Sequence, residues 1–330
     1  MSRIFIFPTL ISLATLGAVY LWGGLSAFIL AAILAVLEVT LSFDNAVVNA
    51  KVLKRMDEKW QRRFLTWGIL LAVFGTRLVL PILIVSTVVW LSPLAVLHLV
   101  LYDSVHYAEL LEQVHPAIGS FGGAFLLMVA LKYFFDEAKE IHWIRVVEKR
   151  LAGWGRMEAV EIALALLLLL GLASISSVPA VILSAGIIGI VLFIMVEGLA
   201  NSLGSGTAAV AGTGLSLFLY LNVLDSAFSL DGVIGAFALT VQLPIIVAGL
   251  GIGAYFVRSM TVYLVRAKTL DTLIYLEHGA HWAILGLALS MFAGLLMHVP
   301  EIVTGSIGLF FVLLAYISSR RERAREERLG

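Results

Sequence analysis

Long apolar runs, interrupted at intervals by short charged clusters, dominate this chain. A helix that crosses the ~30 Å hydrocarbon layer of a bilayer needs about 20 mostly apolar residues. Ten runs meet that need: 4–22, 24–50, 64–90, 117–135, 158–176, 179–197, 215–234, 243–264, 281–298 and 301–318. Barrel strands alternate apolar and polar residues over about ten positions. Runs such as Leu164 to Leu170 are apolar on every face, so they predict helices. The first run has Arg3 as a charged start but no clear small-residue cleavage site, so it reads as a retained span. Three weaker stretches lie between the spans. Residues 92–116 are amphipathic and either lie at the outer interface or re-enter the membrane, with 269–280 as their inner counterpart. Residues 198–214 are rich in Gly, Ser and Thr and predict a flexible connection.

Composition agrees with this pattern and narrows the class. Of 330 residues, 61% are hydrophobic and 13% charged, against about 25% charged in an ordinary soluble domain. Mean hydropathy is +1.03. A soluble globular enzyme and a disordered chain are therefore excluded. The 22 basic and 22 acidic residues cancel, so no nucleic-acid partner is indicated. Cysteine is absent, which removes disulfides, thiolate metal sites and cysteine nucleophiles.

The basic residues set the orientation. Eighteen of the 22 Lys and Arg fall in 51–63, 136–158, 266–268 and the tail from Arg320 to Arg328. Ten spans with both termini in the cytoplasm put all four regions on the cytoplasmic side of a multi-pass protein of the plasma or inner membrane. Arg77 and Arg258 are left inside apolar spans. The charged tail itself reads as a solvated helix end.

The acidic residues repeat. The segment VLEVTLSFDNAV, from Val36 to Val47, recurs 187 residues later as VLDSAFSLDGVI, from Val223 to Ile234. Glu38, Ser42 and Asp44 match Asp225, Ser229 and Asp231. With a gap, Gly68 and Arg77 match Gly249 and Arg258, and Glu112 and His115 resemble Glu277 and His281. Glu161 and Glu301 form a weaker pairing. The chain divides into two five-span halves, 1–178 and 179–330. Because the second span runs inward and the seventh outward, the halves are inverted repeats. In transporters built this way the substrate site lies near the midplane, between the repeats.

Four acids in two spans are costly, since each charge at a helix centre costs about 2.5–3.5 kcal/mol on insertion scales. Protonation, pairing with Arg77 and Arg258, or cation binding would relieve that cost. Two acid–arginine pairs that merely hold helices together leave at least two acids unexplained. On a regular helix Glu38, Ser42 and Asn45 share a face and Asp44 does not. Aiming both acids at one ion requires a break near Ser42–Asn45 and a second near Ser229–Gly232. Metal ligands are then Glu38, Asp44, Asn45, Asp225 and Asp231, with Ser42, Ser229, Arg77, Arg258, Glu112, His115, Glu277 and His281 as accessory candidates. Such hard oxygens suit Mg²⁺, Ca²⁺ or Mn²⁺ as substrate, with H⁺ as the coupling ion on the return half-cycle. An intramembrane aspartyl protease using Asp44 and Asp231 as a dyad, and a non-transporting metal sensor, are the competing readings. Two extra acids and the lack of a GxGD sequence weigh against the protease.

The motifs LEVTLSFDNAVVNA, LDSAFSLDGVIGAF and HVPEIVTG together resemble the TerC-like integral membrane proteins of the LysE-type exporter superfamily, over most of the chain. The resemblance implies efflux of a divalent metal, notably manganese. It assigns Glu38, Asp44 and Asn45 to the family's acidic motif and Asp231 to its second-half aspartate. Asp225 is a shorter acid where the first copy has Glu38.

Overall fold

The computed structural model describes all residues except 1–2, 158, 203–208, 268–271, 298 and 330. The side chains of 3, 199–202, 209–213, 230, 231, 238, 301, 302 and 326–329 also lie outside the described set. Among the described residues the regular elements are all helical. Six helices are long and apolar enough to cross a membrane, and three apolar helical segments, Pro93–Tyr102, Val160–Ile175 and Gly214–Ser229, are shorter. Large apolar side chains cover the outside, with Leu21 86% and Trp90 92% exposed. A soluble protein does not present such a surface over its whole girth, so the fold is that of an all-α, multi-pass membrane protein.

The first two expected spans join in α1 (Arg3–Leu41), which is kinked at Gly24, where φ is +71°. Only glycine adopts that backbone without strain. The part before the kink is about 30 Å long at 1.5 Å per residue, one bilayer core. After Leu41 the chain breaks and resumes as α2 (Phe43–Lys54). Next come α3 (Glu58–Leu70), capped by Asp57, a π-helical stretch (Leu71–Val79) and α4 (Leu80–Val89), which form one continuous rod. It ends at Trp90 in a left-handed conformation.

The 92–116 stretch divides in two. Ser92 caps the short α5 (Pro93–Tyr102). Asp103 then caps α6 (Ser104–Phe134), accepting from the His106 backbone N–H at 3.3 Å. Residues 104–116 are thus the first turns of a long inner helix rather than part of a separate interfacial segment, because the cap starts the helix early and the apolar run sustains it. The remaining elements are α7 (Arg145–Trp154), α8 (Val160–Ile175), α9 (Pro179–Ser202), α10 (Ala209–Leu239), α11 (Leu243–Arg266), α12 (Leu276–Gly294) and α13 (Glu301–Leu329). The 198–214 connection falls largely outside the described residues, as does part of 269–280.

Helices α6 and α11 are the inner ones, at 78% and 72% buried over their most apolar windows, against 28% for α1 and α9. One apolar cluster joins α2, α6, α8, α9, α10 and α12. A second joins α1, α4, α5, α6, α10 and α11.

Candidate functional site

The break between α1 and α2 is a single residue wide. Ser42 has φ −102° and ψ 15°, outside the helical range. Its N–H still reaches the Glu38 carbonyl at 3.0 Å, and its carbonyl accepts from Ala46 at 3.3 Å. The chain is bent here rather than unwound. The bend lets Glu38 on α1 and Asp44 on α2 border one cavity of about 20 Å³, enough for one water-sized sphere. Ser42, Gly232, Thr304 and Gly308 complete the part of its wall that matters here. Glu38 and Asp44 are each 2% exposed.

The two acids are held differently. The Glu38 carboxylate accepts from the Arg77 guanidinium and, at 3.1 Å, from the Ser42 hydroxyl. Arg77 lies in the π-helical stretch and also donates to the Ala72 carbonyl at 2.5 Å. Asp44 Oδ1 is buried with no hydrogen-bond partner, and so are Asn45 Oδ1, Asn49 Oδ1 and Ser229 Oγ. Asp44 sits in the first turn of α2, where the positive end of the helix dipole favours an anion. Three of these unpartnered oxygens are on α2 and one is on α10, and of their residues Asp44 is the one that lines the small cavity; an unsatisfied buried polar group costs about 1–3 kcal/mol.

The second copy differs. Asp225 accepts from Arg258 at 2.9 Å, and Asn222 Oδ1 accepts from the same guanidinium nitrogen at 3.4 Å. The guanidinium carbon stands 4.3 Å from the Phe64 ring centroid. A Cβ on Gly68 would lie 2.5 Å from Arg258 Nη1, so this glycine makes room for the arginine. Asp225 is not among the residues that line the small cavity. The expected break near Ser229–Gly232 is absent, because α10 runs unbroken from Ala209 to Leu239. Gly232 has another purpose: a Cβ there would come within 3.2 Å of Glu38 Oε2. It lets α10 approach the acid, as does Gly253 on α11, where a Cβ would collide with that of Glu38. Asp231 is in the α10 backbone, but its side chain lies outside the described residues. Among the described residues no group of three or more His, Asp or Glu is arranged to hold a metal.

One turn beyond Asp44, α2 reaches a larger cavity of about 570 Å³ at the basic end of the fold. Val48, Lys51 and Arg55 line it from α2, facing Lys132, Glu161, Glu197 and His281. Lys132 Nζ lies 3.5 Å from Glu161 and 3.9 Å from Glu197. Glu277 pairs with Lys51 across the two halves of the chain. His281 stacks on Tyr133, with ring centroids 3.6 Å apart. Glu112 is exposed, and His115 lies beside Gly294, at the opposite end of α12 from Glu277 and His281. These accessory residues therefore fall at two separate ends. Glu301 has its side chain outside the described residues.

One buried charged residue outside both cavities carries no signal in the sequence. Glu148, on the short basic helix α7, is fully buried. It accepts from His278 at 2.8 Å, from the Trp282 indole at 3.0 Å and from the backbone N–H groups of Trp143 and Ile144 at 3.1 and 3.3 Å. Lys139 lies 3.3 Å away. Burial pushes its carboxyl up, but the His278 hydrogen bond and charge, Trp282 and Lys139 together outweigh that and hold it at about 2. Hydropathy does not mark this position, since Val146 and Val147 beside it are 67% and 40% exposed.

Comparison with known proteins gives one family. The profile described as "Protein of unknown function (DUF475)" matches residues 43–326. The chain belongs to that family. The DUF475 match begins at Phe43, so it takes in α2, both arginines and the second acidic motif, and leaves Glu38 just outside. No curated protein and no solved structure matches the chain.

Proposed function

We propose that this protein is a secondary transporter that moves a divalent cation, Mn²⁺ foremost with Ca²⁺ and Mg²⁺ as alternatives, out of the cytoplasm. The observation that carries the reading is the buried, unpartnered Asp44 Oδ1 on the wall of an ion-sized cavity at a helix break, with three more unpartnered oxygens, Asn45 Oδ1 and Asn49 Oδ1 on the same helix and Ser229 Oγ on α10. All four can accept, and a hard cation is what such oxygens bind. Non-helical backbone at membrane depth is tolerated where it lines a cavity, and interrupted helices of this kind frame ion sites in transporters.

In this reading Glu38, Asp44 and Asn45 are the ligands from the first motif and Asp231 the ligand from the second, with Asp225 holding α10 to α11. The halves 1–178 and 179–330 act as inverted repeats of five spans each, with both termini in the cytoplasm of a plasma or inner membrane. The 570 Å³ cavity at the basic end is then the cytoplasmic vestibule. The recurrence of acid–arginine pairs in both copies supports the repeat. Manganese as cargo and the outward direction rest on the TerC-like resemblance, and H⁺ as coupling ion on the repeated acids.

The test is Mn²⁺ flux in proteoliposomes. Wild type should carry Mn²⁺, and Asp44→Asn and Asp231→Asn should abolish it without loss of folded protein. Binding without flux in wild type would replace the transporter with a sensor. Peptide cleavage lost in both variants would replace it with a protease. Flux that ignores a pH gradient would remove the proton coupling alone.

A further inference from the structure

The two arginine pairs occupy matching places in the repeat, yet their surroundings differ. Arg258 is enclosed by Asp225, Asn222 and the Phe64 ring, on an uninterrupted α-helix. Its acid does not border the ion-sized cavity. Arg77 is anchored in nine residues of π-helix, and its acid is a wall of that cavity. π-helical turns are uncommon, concentrate at functional sites and carry an extra residue per turn. Reversion of such a turn to α-helix rotates the side chains on either side of it. Arg77 therefore sits on an element that could take a second local geometry by reverting to α-helix, whereas Arg258 is on a regular α-helix.

Charge sharpens the difference. The described wall of the cavity carries two carboxylates, Glu38 and Asp44, and one of them already has a cationic partner. Glu38 Oε1 is taken by Arg77 and Ser42, and Oε2 faces the bare backbone of Gly232. A dication entering beside Asp44 would meet the guanidinium across the same carboxylate. Like charges at that separation in a low-dielectric site repel strongly. If Arg77 stays, the described wall offers one net negative charge; if it withdraws, it offers two, which match a dication.

Resting on the transport reading above, we infer that Arg77 is a tethered counter-cation of the site, holding Glu38 while the cavity is empty and yielding it when the substrate cation enters. Arg77 is thus a positioning residue that competes with cargo. It stabilises the unloaded state and resets Glu38 after release.

The experiment measures Mn²⁺ affinity by the loss of free-Mn²⁺ paramagnetic resonance signal, and turnover in proteoliposomes, for wild type, Arg77→Lys, Arg77→Gln and Glu148→Gln. Removing the competitor should tighten Mn²⁺ binding about tenfold in Arg77→Gln while turnover at saturating Mn²⁺ falls at least tenfold. Arg77→Lys keeps the charge without the two-pronged anchor, so its affinity should lie between those two. If Arg77→Gln does not yield folded protein, Arg77→Lys alone decides, by being tighter than wild type. Glu148→Gln lies away from the cavity and should leave affinity unchanged. Unchanged or weaker binding in the folded Arg77 variants, beside normal binding in wild type, overturns the inference alone. Absence of divalent-cation binding in wild type overturns the transport reading and this inference with it.

Discussion

Replacing Glu148 with Gln tests how the basic end is fastened. The carboxylate is fully buried and takes four hydrogen bonds, two from α12 and two from the backbone leading into α7, with Lys139 beside it. Its folded value of about 2 lies below the ordinary 4.5. A tenfold change in an acid's ionisation constant is worth about 1.4 kcal/mol, so the ionised group contributes on the order of 3 kcal/mol to the folded state. The isosteric amide loses the charge and turns an NH₂ toward donors. At about 2.1 cal/mol/K of unfolding entropy per residue, a chain of this length loses roughly 3–5 °C of Tm for that change. The assay is thermal unfolding in detergent, wild type against Glu148→Gln, from pH 7 downward. For a carboxylate whose folded value is depressed, the stabilisation is present above the unfolded value and disappears as pH falls through the folded one. The gap in Tm should hold from pH 7 to about 5 and narrow below about 4.5. A gap under 1 °C at pH 7, or one that stays constant on acidification, would refute the latch.

The other expectations concern the acids in the spans. Asp44→Asn removes a buried carboxylate that has no cationic partner among the described residues, so thermal unfolding should show equal or higher stability even as Mn²⁺ flux is lost. A fall of more than 2 °C would mean that Asp44 has a structural role. Asp225→Asn leaves Arg258 without its charge partner inside the protein, and removing one partner of a buried pair costs about 3–5 kcal/mol. Its yield and Tm should therefore drop sharply, in contrast to Asp44→Asn, and equal behaviour of the two variants would contradict the division of roles between these acids.

Much of this site is legible in the sequence because charged residues are so rare inside the apolar runs. Glu38, Arg77, Asp225 and Arg258 stand out by depth alone, and each acid does meet the arginine of its own half. The need for a break at Ser42 follows from helical spacing, since six residues separate Glu38 from Asp44. What spacing cannot supply is the partner across the interface. Gly232 reads as a helix breaker along one chain, but in three dimensions it is clearance for Glu38 from another helix. Glu148 is invisible for a related reason. It lies in a basic surface segment, and its burial arises from His278 and Trp282, 130 and 134 residues away. The early start of α6 is readable only through the Asp103 cap, a signal outweighed by the polar residues that follow it.

The two copies share a sequence pattern and differ in shape, and that difference bears on mechanism. In the first copy the acid-bearing helix is broken at Ser42 and the arginine-bearing rod contains a π-helical stretch. In the second copy the corresponding helices, α10 and α11, run uninterrupted. Nothing in the motifs forbids the opposite arrangement, since Ser229 stands where Ser42 does and its hydroxyl is buried without a partner. Under the transport reading, the two halves would exchange these conformations, so that the break and the regular helix trade places. Inverted repeats supply such a pair of states to transporters, and packed helices tend to switch between discrete arrangements rather than deform gradually. Under the transport reading, the vestibule at the basic end belongs to the present arrangement. The exchange would close it and open the opposite end, with Arg77 leaving or regaining Glu38 as the π-helical stretch changes.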